Sequence, residues 1–127
     1  MDHQQINPWE WQDEFGYSQA IETKDGERVL YCAGQTSMDA DGNPVHPDDM
    51  RAQTSKVIEN IETVLADADF GLDDVVRIDC YTTDVDRLFE NWDLITDRFE
   101  QPGCTLLGVE RLAFPELLVE IKATAVR

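Results

Sequence analysis

Positive charge is what this sequence has least of. Three lysines (Lys24, Lys56 and Lys122) and seven arginines face 27 acids, for a formal net charge of −17. Phosphate binding draws on a basic footprint, so this balance argues against a nucleic-acid partner. The acids are spread along the chain rather than gathered in a tail. Such a surface repels itself in dilute salt and is screened at high ionic strength, which points to a halophilic source; a generally acidic surface is the plainer alternative. Histidine and cysteine are also scarce. His3 and His46 have no second ligand at metal spacing, and Cys32, Cys80 and Cys104 form no C-x-x-C pair. These absences speak against a disulfide framework and a zinc site, and no metal or cofactor is implied. No apolar run approaches the roughly 20 residues of a bilayer span. The start, Met1-Asp2-His3-Gln4-Gln5, lacks the basic-then-apolar layout of a secretion signal. The expectation is a soluble cytoplasmic protein.

What is present reads as one domain. The 127 residues, 42% of them hydrophobic, are enough to bury a core without staples. Residues 1–15 are polar with scattered aromatics (Trp9, Trp11, Phe15) and are expected to form an extension anchored to the surface by those rings. Residues 17–22 and 28–33 read as strands joined by a hairpin turn at Lys24-Asp25-Gly26-Glu27, because Asp-Gly accepts positive φ. A long loop follows over 34–47, with room for one short strand near Thr36 to Met38. From Asp48 to about Phe70, Met50, Val57, Ile61, Val64, Leu65 and Ala68 recur three or four apart, predicting an amphipathic helix stopped at Gly71. Val75 to Thr83 alternates as a strand. Thr83-Asp84 caps a second helix carrying Leu88, Trp92, Ile95 and Phe99.

The last quarter, Gln101 to Arg127, predicts a turn at Gln101-Pro102-Gly103, a strand from Cys104, a break at Ala113-Phe114-Pro115 and a strand from Leu117 to Val126. In the final strand Val119, Ile121, Ala123 and Ala125 share an apolar face. Leu118, Glu120, Lys122 and Thr124 share the other, so Glu120 is an acid in mid-strand. The order is β-β-(β)-α-β-α-β-β, an α/β (α+β) domain with a mixed sheet of about six strands and two helices on one face. Two helices cover only one side, so copies of the same chain are expected to cover the other. Glu120 would then lie near a subunit interface, where a cleft between chains suits a small molecule.

Several stretches together resemble the RidA (YjgF) family. Gly16-Tyr17-Ser18-Gln19-Ala20-Ile21 is similar to its amino-terminal strand motif, and Ala33-Gly34-Gln35 to its S-G-Q turn. Asn60-Ile61 through Gly71, Asp74-Val75-Val76-Arg77, Tyr81-Thr82-Thr83-Asp84, Pro102 to Val109 and Val119-Glu120-Ile121-Lys122-Ala123 follow in family order. The resemblance covers about residue 15 to the carboxyl end. It implies a homotrimer of chorismate-mutase-like architecture, with a small-molecule ligand in clefts between subunits. It also implies hydrolysis of reactive enamines and imines with release of ammonia. Family members of that kind hold the substrate carboxylate with an arginine two residues after the proline of P-x-R. Here that position is Cys104, in Pro102-Gly103-Cys104-Thr105, and a neutral thiol does not replace a guanidinium fork. An asparagine found early in the second helix of some members aligns with Trp92, and Asn91 falls one place off.

The candidate site is therefore Glu120, with Tyr17, Gly34, Cys104 and Thr105 around the ligand. As a site residue Glu120 would activate water; as a structural acid it would pair with Lys122 or a neighbouring chain. Tyr17 would orient a ligand or fill a trimer edge. Gly34 would offer a backbone amide to an oxyanion or simply turn the chain. Cys104 reads as a nucleophile or, with no histidine placed to activate it, as a small pocket-lining residue; Cys32 and Cys80 read as buried hydrophobes. Trp92 and Phe99 read as core. The rival reading is a non-catalytic small-ligand-binding or chaperone-like protein of the same fold, and a third, ribonuclease, is disfavoured by the charge.

Overall fold

The computed structural model describes residues 2–127; Met1 of the amino-terminal extension lies outside the described residues. Six strands form two sheets. The larger runs β3-β6-β4-β5, built from β3 (Val29–Tyr31), β6 (Val119–Val126), β4 (Val75–Thr82) and β5 (Gly103–Gly108). β6 is antiparallel to both neighbours, and β4 and β5 are parallel. A parallel pair needs a crossover, and the helical residues between β4 and β5 supply it. The smaller sheet pairs β1 (Asp2–Ile6) with β2 (Ala20–Lys24).

Helix α1 spans Met50–Asp67. Its N-cap is Asp49, whose carboxylate accepts the Ala52 N–H at 3.0 Å. Met50, Val57, Ile58, Ile61 and Leu65 form its buried stripe, and it lies against Ile78, Cys80, Val119, Ile121, Ala123 and Ala125 of the main sheet. Burial of each large aliphatic there contributes on the order of 1.5–3 kcal/mol. Two polar helix residues on the same side are also sealed and satisfied. Gln53 donates to His46 O and Glu116 O and accepts from Leu118 N, which fixes the entry to β6.

Three sequence expectations are corrected. The 17–22 and 28–33 segments do not form a hairpin. Asp25 does turn the chain, with φ +58°, but β2 pairs with β1 while β3 pairs with β6. The sheet of about six strands is accordingly four plus two. The second helix is two, α2 (Val85–Glu90) and α3 (Asp93–Arg98). The amide of Asn91 turns back to Arg87 O, Arg51 holds both Asn91 and Asp93, and the Trp92 indole is drawn to Phe15 O. In the amino-terminal extension Phe15 packs against Phe89 and Trp11 against Tyr17, while the rings stay partly open. Trp9 and Trp11 are more than half exposed, and the buried residue of its 3-10 turn (Trp11–Phe15) is Gln12. Its amide donates to Trp9 O at 2.9 Å.

Strand alternation leaves the other face of the main sheet bare in the protomer. Tyr31 is 80% exposed and Leu107 50%, both on that face beside the polar residues of β4 and β6. No helix among the described residues is long and apolar enough to cross a membrane.

Candidate functional site

Register places Glu120 on the bare face, opposite Tyr81, which in turn lies opposite Leu107. One step along, Lys122 faces Asp79, which in turn lies opposite Thr105. Asp79 is 8% exposed and is held by Arg77 at 3.2 Å, with Lys122 Nζ at 3.9 Å. The acid that Lys122 neutralises is thus Asp79. Glu120 is half-buried, and its carboxylate has no ion pair or hydrogen bond among the described residues. Its carboxylate pairs neither with Lys122 nor with any other side chain among the described residues.

What presses on Glu120 is Gly34. A Cβ at position 34 would stand 1.9 Å from Glu120 Oε2 and 2.7 Å from Cδ, so the carboxylate lies over the glycine backbone in space that a side chain would fill. The loop is held there by Gln35, which exchanges two backbone hydrogen bonds with Ile121, and by Asn60, whose amide donates to Thr36 O and Met38 O. Upstream, Cys32 N–H is bonded to Ala123 O. Between these anchors the N–H groups of Ala33 and Gly34 have no protein acceptor among the described residues. A carboxylate beside unclaimed backbone donors is able to hold and deprotonate a water while the donors meet developing negative charge.

The remaining candidates are divided by the sheet. Thr105 is exposed on the Glu120 face, whereas Cys104 pairs with Ile78 and projects with it to the helix side. Cys104 is two strands from Glu120 and three residues along, roughly 14 Å between Cα atoms by strand geometry. Within one chain the two do not meet. Cys104 instead lines an open cleft of about 240 Å³ with Trp11, Phe15, Tyr17, Phe89, Trp92 and Leu106. Tyr17 and Cys104 thereby line the same cleft, and Trp92 is both buried and a cleft wall. Trp11, Phe15, Phe89 and Leu106 were not foreseen there. Their only signal was aromatic clustering at Trp9, Trp11 and Phe15, since nothing in the sequence shows that the 3-10 turn meets α2.

The cleft is aromatic and neutral. Phe89 packs edge-on to Trp92 with centroids 5.8 Å apart, and Trp11 meets Tyr17 at 6.1 Å. The Trp92 indole donates to Phe15 O at 2.7 Å, tying the amino-terminal segment to the helices. At its floor, hydrogen bonding from the adjacent Cys80 thiol pulls Cys104 below the ordinary thiol range, against the opposing effect of burial. The same contact and deep burial push Cys80 well up. Cys32 and Cys80 are buried, as expected, and no cluster of His, Cys, Asp and Glu among the described residues suits a metal.

A mixed α+β domain of this strand order has known counterparts. A family model described as endoribonuclease L-PSP matches residues 11–127. A RutC family protein of Pyrococcus abyssi is 30% identical over 110 residues, 86% of this chain and 84% of that one. A second, from Saccharolobus solfataricus, is 33% identical over 112 residues, 86% of this chain and 85% of that one. Among solved structures, the Rid family protein YyfB from Yersinia pestis superposes with a TM-score of 0.90 at 34% identity, covering 100% of both chains. A YjgF/YER057c/UK114 family member from Mycobacterium tuberculosis gives 0.68 at 30% identity, covering 99% of this chain and 100% of that one. The chain belongs to the RidA (YjgF) family.

Proposed function

We propose that this protein is a cytoplasmic homotrimeric hydrolase of small reactive imines and enamines, with Glu120 as the general base. The observation that carries it is the half-buried Glu120 carboxylate, without a cation partner among the described residues while Lys122 is committed to Asp79. Glu120 takes a proton from water as the oxygen bonds to the C=N carbon. The C=N π electrons pass to nitrogen, which is protonated, and collapse of the carbinolamine breaks the C–N bond. Water and imine become carbonyl and ammonia, with no redox partner. The N–H groups of Ala33 and Gly34, without a protein acceptor among the described residues, would serve as donors to the charge that develops.

The bare sheet face supports assembly, because exposed Tyr31 and Leu107 need cover. Assembly would also bring Glu120 of one copy to the Tyr17 and Cys104 cleft of the next. The test is ammonia release from enzymatically generated imines in molar salt. Wild type should turn over, and Glu120→Gln should lose about 10²–10⁴-fold. Mixing Glu120→Gln with Tyr17→Ala subunits should restore part of the activity if the site spans two copies. Turnover only in Cys104→Arg would replace this reading with a non-catalytic ligand binder, which the absence of a cationic clamp favours. RNA cleavage that persists in high salt and vanishes in Glu120→Gln would reinstate the ribonuclease reading.

A further inference from the structure

The aromatic cleft has a chemistry of its own. None of its seven lining residues carries a formal charge when Cys104 is a thiol, and the most polar free group is the Tyr17 hydroxyl. A carboxylate moved from water to this wall would lose hydration with no cation to replace it, which is strongly unfavourable. The net charge of −17 repels anions from a distance as well. A flat apolar ring gains instead. Aromatic pairs in offset or edge geometry contribute about 0.5–1.5 kcal/mol beyond the area they bury, and the cleft offers Trp11, Phe15, Phe89 and Trp92.

Size narrows the choice further. An apolar cavity of roughly 150 Å³ holds one benzene, and this one is about 240 Å³. One ring with a short substituent, or two fused rings, fits. The wall is also fixed in place. Gly16 ends the 3-10 turn in the left-handed region at φ +73°, and a Cβ there would stand 2.6 Å from Thr96 Cγ2. Ser18 then ties the chain to Gln101 O at 2.6 Å. The amino-terminal rings are thereby held against α2 and β5 rather than left to drift.

We infer that this cleft binds a neutral aromatic molecule of one or two fused rings, and that the substrate side chain is of that class rather than a small amino-acid-derived carboxylate. The inference rests on reading the cleft as the ligand-binding half of the proposed site. Indole, benzoate and 2-oxobutyrate serve as probes, titrated calorimetrically into the full-length protein in 1 M NaCl. Indole should bind with a Kd of about 0.1–1 mM, and the two anions should show no heat at tenfold higher concentration. Leu106→Trp, which fills the cleft, should weaken indole at least tenfold. Should that variant misfold, Phe89→Ala, which removes a partly exposed wall, should weaken it severalfold. Cys104→Arg should reverse the preference towards benzoate.

Anion binding equal to that of indole would overturn the inference. So would indole binding indifferent to both wall variants, or no indole binding at all, the result expected if a neighbouring copy already fills the cleft. Ammonia release is read separately. Indole binding without turnover sinks the hydrolase reading and leaves the ligand class standing, whereas turnover of aliphatic imino acids without indole binding does the reverse.

Discussion

On its helix-covered face, β6 presents Val119, Ile121, Ala123 and Ala125 to α1 with essentially no surface left. On the other face the alternate residues of the same strand, Glu120, Lys122 and Thr124, meet a single layer of neighbours and then space. The two faces share one backbone and solve different problems. The covered side excludes water, and its residues are interchangeable in chemistry but not in volume. The bare side balances charge, and it does so unevenly. Asp79 is enclosed by Arg77 and Lys122, while Glu120, opposite Tyr81, is left with a glycine beneath it. A fold that needed Glu120 for stability would have given it a cation.

That contrast breaks first under paired substitutions. Ile121→Ala removes a fully buried side chain between α1 and the sheet and should cost about 2–5 kcal/mol in urea unfolding. Glu120→Gln, one residue away, should stay within about 0.5 kcal/mol. A loss above roughly 1 kcal/mol in Glu120→Gln would make the carboxylate structural and remove it from the proposed mechanism. Gly34→Ala sharpens the same point at smaller amplitude. The added methyl meets the movable end of Glu120 rather than backbone, so the carboxylate should swing aside with stability nearly kept. Ammonia release should fall about 10–100-fold through misplacement of the base. Full activity in Gly34→Ala would show that the position of the carboxylate over the glycine does not matter.

Much of the covered face could be read from the sequence, because period carries it. The alternation of 75–82 and 119–126 and the three-four spacing of 50–65 each depend on residues a few places apart. Register and pairing do not. Nothing local shows that polar Asp2-His3-Gln4-Gln5 forms a strand, since each of these residues pairs with a β2 residue sixteen or more places on. The Asp25-Gly26 signal marked a turn, with Asp25 at φ +58°, but the hairpin read from it does not form, because β2 pairs with β1 and β3 with β6. The site shows the same division. Glu120 stood out as an acid in mid-strand, but that Cys104 projects away from it follows only from the pairing of Ile78 with Cys104 and Tyr81 with Glu120. The walls Phe89 and Trp11 come from elements far apart in sequence, and Trp92 read as core because helical spacing cannot show which edge of a ring remains open.

The smallest effect belongs to a charge pair that resembles Asp79 in partner and differs in exposure. Arg51 binds Asp93 through both guanidinium nitrogens, at 3.0 and 2.8 Å, on the open surface between α1 and α3. The hydrogen bond from Arg51 holds the Asp93 carboxyl below the ordinary aspartate value; desolvation opposes it and the charge of Arg51 adds to it. A carboxyl whose pKa is lowered on folding contributes stability above its unfolded value, about 3.9. That contribution fades as pH falls through the lower folded value, so acid removes it and alkali does not. Because the pair is exposed, solvent and salt screen it. A double-mutant cycle of Arg51→Ala and Asp93→Asn should show coupling near pH 7 in dilute buffer, less below pH 3, and next to none in molar salt. Coupling that survives molar salt would place this pair with Asp79 among the enclosed charges, and the distinction between covered and bare acids would have to be redrawn.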